Sequence, residues 1–175
     1  MVRCTIAGMP RATVKLLLVD RDGQLLLVHG RDPATGTTHW YPVGGGVEPG
    51  ESWHEAAVRE AWEETGLGRL PAGVRVWTRD VAYTHAGRTF DVHEDWLYYA
   101  VAYFDPSPAR LTDRENESIL GFRWWTAEAL RGTDESVFPP DLGARFGRLQ
   151  ESGCPATPID IGDRTRTSGD GEATD

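Results

Sequence analysis

The 175-residue sequence predicts a mixed α/β domain built on a mixed β-sheet, and three observations carry that reading. Runs of β-branched, aliphatic and aromatic residues recur along most of the chain. One well-punctuated helical segment stands among them, at about residues 53–65. Two shorter helical segments follow the last apolar run, so strands and helices interleave and neither class dominates.

The elements follow in chain order. "ATVKLLLVDRDGQLLLVHG" (12–30) reads as two β runs around Asp22-Gly23, a hairpin signal. Both runs are nearly all apolar, which places them inside the domain and not on a solvated face. "RDPATGTTHW" (31–40) is a polar loop, and "WYPVGGGVEPGE" (40–51) is too rich in glycine to be regular throughout. Ser52 and Glu55 then form a capping-box pattern, and Gly66 stands where a helix end takes a left-handed residue. "VRVWTRDVAY" (74–83), "RTFDVHEDWLYYAVAYF" (88–104) and "ILGFRWW" (119–125) read as strands, separated by loops with Gly87 and with Pro106 and Pro108. Thr126 caps a short helix. "PPDLGARFGRLQ" (139–150) opens another, with prolines in its first turn and Leu142, Phe146 and Leu149 on one stripe. The organisation expected is a domain over residues 1–150 and a flexible acidic tail over 151–175, in which only Ile159 and Ile161 could dock.

Composition excludes several classes. A formal net charge of −9, a pI near 5.0 and the lack of a Lys/Arg run argue against a nucleic-acid polymer as partner. Cys4 and Cys154 stand far apart in no metal-binding or disulfide pattern, as in a reducing compartment. No long apolar segment reads as a signal peptide or membrane span, so a soluble cytoplasmic protein is expected.

Chemistry concentrates in "REAWEET" (59–65), where Glu60, Glu63 and Glu64 share one helix face. Like charges at these spacings repel by roughly 0.2–0.5 kcal/mol per pair. Val58, Ala61, Trp62 and Thr65 are expected to pack on the sheet from the opposite side, with Ala56 and Ala57 leaving room for a ligand. The glutamates can be a solvated acidic face. They can equally be oxygen ligands for a hard cation such as Mg²⁺ or Mn²⁺, shared with substrate phosphates. Gly44, Gly45 and Gly46, which admit close approach of a ligand to the backbone, favour the second reading.

Residues 45–67, "GGVEPGESWHEAAVREAWEETGL", resemble the Nudix box, G-x5-E-x7-R-E-U-x-E-E-x-G-U with U apolar. Gly45, Glu51, Arg59, Glu60, Glu63, Glu64, Gly66 and Leu67 match, while Ala61 is small for its U position. The proline often found directly before the paired glycines sits earlier, as Pro42. The resemblance implies an α/β/α sandwich and metal-dependent hydrolysis of a diphosphate linked to a moiety X, usually a nucleoside diphosphate. Glu60, Glu63 and Glu64 would hold the metal. Glu51 would be a further ligand or a partner for Arg59, and Arg59 would hold the carboxylate rotamers. In such enzymes the general base is a box glutamate, here Glu60 or Glu63, or an acid from a downstream loop. Glu117 ranks first among the latter because a strand begins at Ile119; Glu115, Asp113 and Glu94 follow. Gly44, Gly45 and Gly46 would contact the substrate. Trp40 and Tyr41 would stack on its base or sugar, or else pack in the core. Selection of X falls to loops at about 31–41, 83–90 and 105–118, and a homodimer is expected from the resemblance. Two rivals share the fold: a non-catalytic nucleotide sensor, and a diphosphate isomerase, whose cysteine requirement neither Cys4 nor Cys154 is placed to meet.

Overall fold

Both apolar runs at the start of the chain form strands, β1 (Arg11–Val19) and β2 (Leu25–Arg31). The computed structural model describes residues 10–85, 88–109 and 118–162. Asp20 builds the turn between the strands: its Oδ1 accepts from the backbone N of Asp22 (3.0 Å) and of Gln24 (2.8 Å). The strands do not continue as the hairpin expected from sequence. They pair only at Val19↔Leu25 and then diverge, because each is apolar on both faces and is claimed by other neighbours. β1 pairs in parallel with β5 (Arg88–Ala100) from Arg11↔Val92 to Val19↔Ala100. β2 is flanked by β3 (Thr38–Pro42) and β6 (Ile119–Trp125), both antiparallel. β4 (Val74–His85) pairs antiparallel with β5. The mixed sheet read from the sequence is therefore present.

Helices cover both faces of the sheet. Helix α1 (Trp53–Thr65) packs Ala56, Ala57 and Ala61 on Val14, Leu16, Leu18, Leu97 and Tyr99. Helices α2 (Ala127–Gly132) and α3 (Leu142–Ser152) pack Leu130, Leu142, Phe146 and Leu149 on Leu17, Val19 and Trp96 from the other side. This is an α/β/α sandwich. Thr126 caps α2 as expected, whereas Pro139 and Pro140 lie ahead of α3, whose N-cap is Asp141.

Two expectations need correction. Of the side of helix α1 expected to pack on the sheet, Ala61 and Thr65 are buried but Trp62 is exposed and Val58 only half-buried; Glu60 and Glu64 are buried instead, and Ala56 and Ala57 pack on the sheet where room for a ligand was expected. The side of α1 that meets the sheet is lined with alanine, so the helix sits close, and the long glutamates beside those alanines reach the backbone beneath. The first residues of the expected tail, 151–162, are not a free segment. α3 runs to Ser152, and β7 (Ile159–Asp160) pairs in parallel with β4. Ile161 N donates to Thr78 O (2.8 Å), and the Ile161 side chain is buried in the α3-side core. Residues 163–175 of the expected tail lie outside the described residues.

Ile161→Ala should lower the unfolding free energy by about 2 kcal/mol. The measurement is urea denaturation, read as a lower midpoint at unchanged slope; a change within about 0.5 kcal/mol would mean the segment contributes no core packing.

Candidate active site

After Pro42 the chain crosses from β2 to the open edge of β1. Leu16 N donates to Val43 O (2.8 Å), Val14 N to Gly45 O (2.9 Å), and Val47 N to Ala12 O (2.9 Å). The glycine loop is thus a short irregular strand laid along β1, and the glycines meet different demands. Gly44 has φ 137, and any Cβ there would strike the Val14 carbonyl oxygen. Its N–H is left to donate to Glu64 Oε2 (3.1 Å). A Cβ on Gly45 would collide with the Glu60 carboxylate, and one on Gly46 with the Arg11 guanidinium.

Helix α1 delivers the carboxylates to this strand. Ser52 Oγ accepts from Glu55 N (3.2 Å) and Ser52 N donates to Glu55 Oε2 (2.8 Å), which completes the capping box. At the other end Gly66 adopts a left-handed conformation with φ 77. A side chain there would also meet the Ser107 carbonyl, since residues 107–109 fold over the helix end: Ser107 N donates to Thr65 O (2.9 Å) and Ala109 N to Glu63 O (3.1 Å). Both punctuation marks read from the sequence are in place.

Arg59 joins the parts. Nε donates to Glu51 Oε1 (2.9 Å); Nη1 to Glu60 Oε1 (2.7 Å) and Glu63 Oε2 (3.3 Å); Nη2 to Glu51 Oε2 (2.9 Å) and the Gly46 carbonyl (2.8 Å). A guanidinium has five N–H donors, and all five are engaged. The fork on Glu51 is bidentate, and it holds the Glu51 carboxyl below its ordinary pKa; the same contact holds Arg59 firmly in the charged state. Three carboxylates around one guanidinium, with Glu64 adjoining, leave a surplus of negative charge. Such a surplus favours a cation.

The donor set is all-carboxylate oxygen, which matches the preference of a hard divalent ion. As placed, the oxygens are turned to Arg59 and to the Gly44 N–H, and among the described residues no group of three or more His, Cys, Asp or Glu side chains stands together at metal-holding distance. That is the arrangement expected of mutually repelling carboxylates that have N–H donors within reach. A cation would compete with those donors for the same oxygens.

The remaining sequence candidates are distributed as follows. Tyr41 is half-buried on the α1 side, its ring over Gly30, where a Cβ would strike it. Trp40 is 3% exposed on the opposite side, stacked on His29, with Nε1 donating to Glu135 Oε2 (2.7 Å). Its placement favours core packing over stacking on a substrate. Glu94 is buried on the α3 side, where its Oε2 accepts from Arg79 Nε (2.9 Å) and Trp96 Nε1 (3.0 Å), so the sheet separates it from α1. Glu117, Glu115 and Asp113 lie outside the described residues. Arg11, beside Gly46, is a neighbour the sequence reading did not single out; no motif marks it, and only the pairing of residues 43–47 with β1 brings it there.

A family model described as NUDIX domain matches residues 9–143. The chain belongs to the Nudix hydrolase family. It is 32% identical over 133 residues to nucleoside triphosphatase NudI of Escherichia coli, covering 74% of this chain and 92% of that protein. It is 36% identical over 99 residues to an RNA pyrophosphohydrolase of Roseobacter denitrificans, covering 56% of this chain and only 51% of the relative. Among solved structures, a Nudix hydrolase from Nitrosomonas europaea superposes with TM-score 0.57 at 23% identity, over 83% of this chain and 90% of that one. The Escherichia coli ORF135 protein gives 0.57 at 24%, over 86% and 98%. These likenesses show the fold. In this Nudix domain the signature residues are the ones that Arg59 and the glycine strand bring together. None of the described helices is long and apolar enough to cross a membrane.

Glu51 supplies a test of the Arg59 cluster. Its pKa is depressed in the folded state, so the stabilisation it gives is present above its ordinary value of about 4.5 and is lost as pH falls through the folded value. Glu51→Gln should therefore lower the thermal midpoint most near neutral pH, and the gap to the wild type should narrow as the pH falls below the ordinary carboxyl value and through the depressed folded one. A gap independent of pH would show that Glu51 stabilises the fold by some means other than its charge.

Proposed function

We propose that this Nudix protein is a divalent-metal-dependent pyrophosphohydrolase that cleaves a phosphoanhydride bond in a nucleoside diphosphate linked to X, a class that includes nucleoside triphosphates and nucleotide sugars. The observation that carries the proposal is the saturation of Arg59. All five of its donors go to Glu51, Glu60, Glu63 and the Gly46 carbonyl, so it cannot be the group that binds substrate and must be the one that sets the carboxylates. A binding module would need no such fixed array of like charges beside a glycine strand. The nucleoside triphosphatase named among the relatives supports a nucleotide as the substrate class.

In this reading Glu60, Glu63 and Glu64, with Glu51 behind them, hold Mg²⁺ or Mn²⁺. When bound, the ion neutralises phosphate charge and lowers the pKa of the attacking water. The chain's own residues do the rest. The Gly44 N–H holds Glu64 against the glycine strand, and Arg59 fixes Glu60 and Glu63 through one nitrogen, Nη1. The bare backbone of Gly44–Gly46 admits the diphosphate to that edge without a side chain in the way. A carboxylate oxygen, from Glu117 first or from Glu60 or Glu63, takes the proton of water as its oxygen attacks phosphorus. The P–O bond of the bridging oxygen breaks, and the leaving phosphate group departs with that oxygen.

Release of phosphate-containing products from a panel of nucleoside triphosphates, nucleotide sugars, ADP-ribose and dinucleoside polyphosphates, in Mg²⁺, tests the proposal. At least one compound should be turned over, and Glu64→Gln should reduce that rate by about 100-fold or more. The fold should survive, because the glutamine carbonyl still accepts from Gly44 N. Near-normal activity in Glu64→Gln would overturn the metal assignment, and tight binding without turnover across the panel would favour the sensor reading.

A further inference from the structure

The glycine strand is a partition one backbone thick, and the charges on its two sides are opposite. On the α1 side Gly45 faces Glu60, with Glu51, Glu63 and Glu64 adjoining. The α3 side is different. Side chains alternate along β1, and Val14, Leu16 and Leu18 belong to the α1 side. Arg11, Thr13 and Lys15 therefore project to the other side, with Leu17 and Val19. Arg79, which lies over the Trp96 ring, adds a third cation to that face, but it is already paired with Glu94.

Arg11 and Lys15 are not paired in this way. Among the described residues neither side chain makes a hydrogen bond or an ion pair. Lys15 is the only lysine in a chain of net charge −9 and is nonetheless half-buried. Arg11 is exposed, and its guanidinium occupies the space that a Cβ on Gly46 would need. Two guanidinium groups therefore meet at one residue. Arg59 holds the Gly46 carbonyl and has no donor left, while Arg11 lies against Gly46 with its donors unspent.

We propose that Arg11 is a substrate-binding residue, whose guanidinium receives a phosphate group of the diphosphate on the side of the glycine strand away from the carboxylates. The inference rests on the pyrophosphohydrolase reading for its ligand class. The planar fork suits two phosphate oxygens at once, and the positive field of Lys15 behind it favours an anion there. The bare Cα of Gly46 is what lets the guanidinium lie close to the edge where the chemistry is proposed.

Binding of imidodiphosphate in Mg²⁺, measured by calorimetry on the full chain, tests this without requiring turnover. Arg11→Gln should weaken binding by about tenfold or more, and Arg11→Lys should recover part of the loss. Mn²⁺ affinity without imidodiphosphate, read by electron paramagnetic resonance, should not change in Arg11→Gln, because Arg11 touches none of the carboxylates. Equal binding of imidodiphosphate by wild type and Arg11→Gln would overturn the proposal, as would a wild type that does not bind it. A wild type that binds with Arg11 dependence yet turns over none of the panel would uphold Arg11 and refute only the hydrolase reading.

Discussion

Arg59 has five N–H donors, and the geometry of the site depends on where they go. Two fork onto Glu51 at the entrance to α1, two reach Glu60 and Glu63 along the helix, and one holds the Gly46 carbonyl in the strand beneath. A single planar cation thus ties the glycine strand, the turn and the helix into one body. The side chain is only 24% exposed, so the contacts form where water screens them less than on an open surface. Without the guanidinium, Glu51, Glu60 and Glu63 would repel one another at close range, and Glu51 would keep only its contact with the Glu48 N–H (2.9 Å) from this set of donors.

The alanines of α1 are the packing counterpart of that charge. Ala56, Ala57 and Ala61 are completely buried, and their small size lets the helix approach β1 and the glycine strand closely. Larger aliphatic residues would lift the helix and carry Glu60 and Glu64 away from Gly45 and Gly44. The small residue at position 61, which departs from the usual box, is consistent with this close seat. Gly45 and Gly66 serve the same end. One gives room to the Glu60 carboxylate, and the other lets residues 107–109 close over the helix terminus and satisfy its last carbonyls.

Much of this was legible in the sequence because the determining interactions are local. The capping box at Ser52 and Glu55, the left-handed Gly66 and the helix between them depend on neighbours within a few residues, and all are found. The longer strands β1, β2, β4, β5 and β6 were equally readable from their composition, whereas β3 lies in a stretch that reads as a polar, glycine-rich loop and β7 in one that reads as tail. Pairing was not. The Asp22-Gly23 turn suggests a hairpin, yet β1 lies beside β5, some eighty residues away, because two apolar faces need cover that an edge position cannot give. Ile159 and Ile161 stand out in a polar stretch as the residues able to dock, but nothing local says that an open edge of β4 awaits them. The buried side of α1 was misread for a related reason. A helix wheel ranks faces by hydrophobicity, and here Glu60 and Glu64 are buried against backbone N–H groups and Arg59 and not against apolar side chains.

The sequence by itself determined the helix, its caps, the long strands and the fixed spacing that marks Gly45, Glu51, Arg59, Glu60, Glu63, Glu64 and Gly66 as one set. These follow from short-range stereochemistry and from a motif whose members lie within a span of about two dozen residues. Only the tertiary structure decided which donors Arg59 spends, that Trp40 and Glu94 lie across the sheet from α1, and that Arg11 lies against Gly46. Each of these depends on strand register and on which face of the sheet a residue occupies. Register is set by long-range pairing, and a shift of one residue would move every side chain of β1, Arg11 included, to the opposite face.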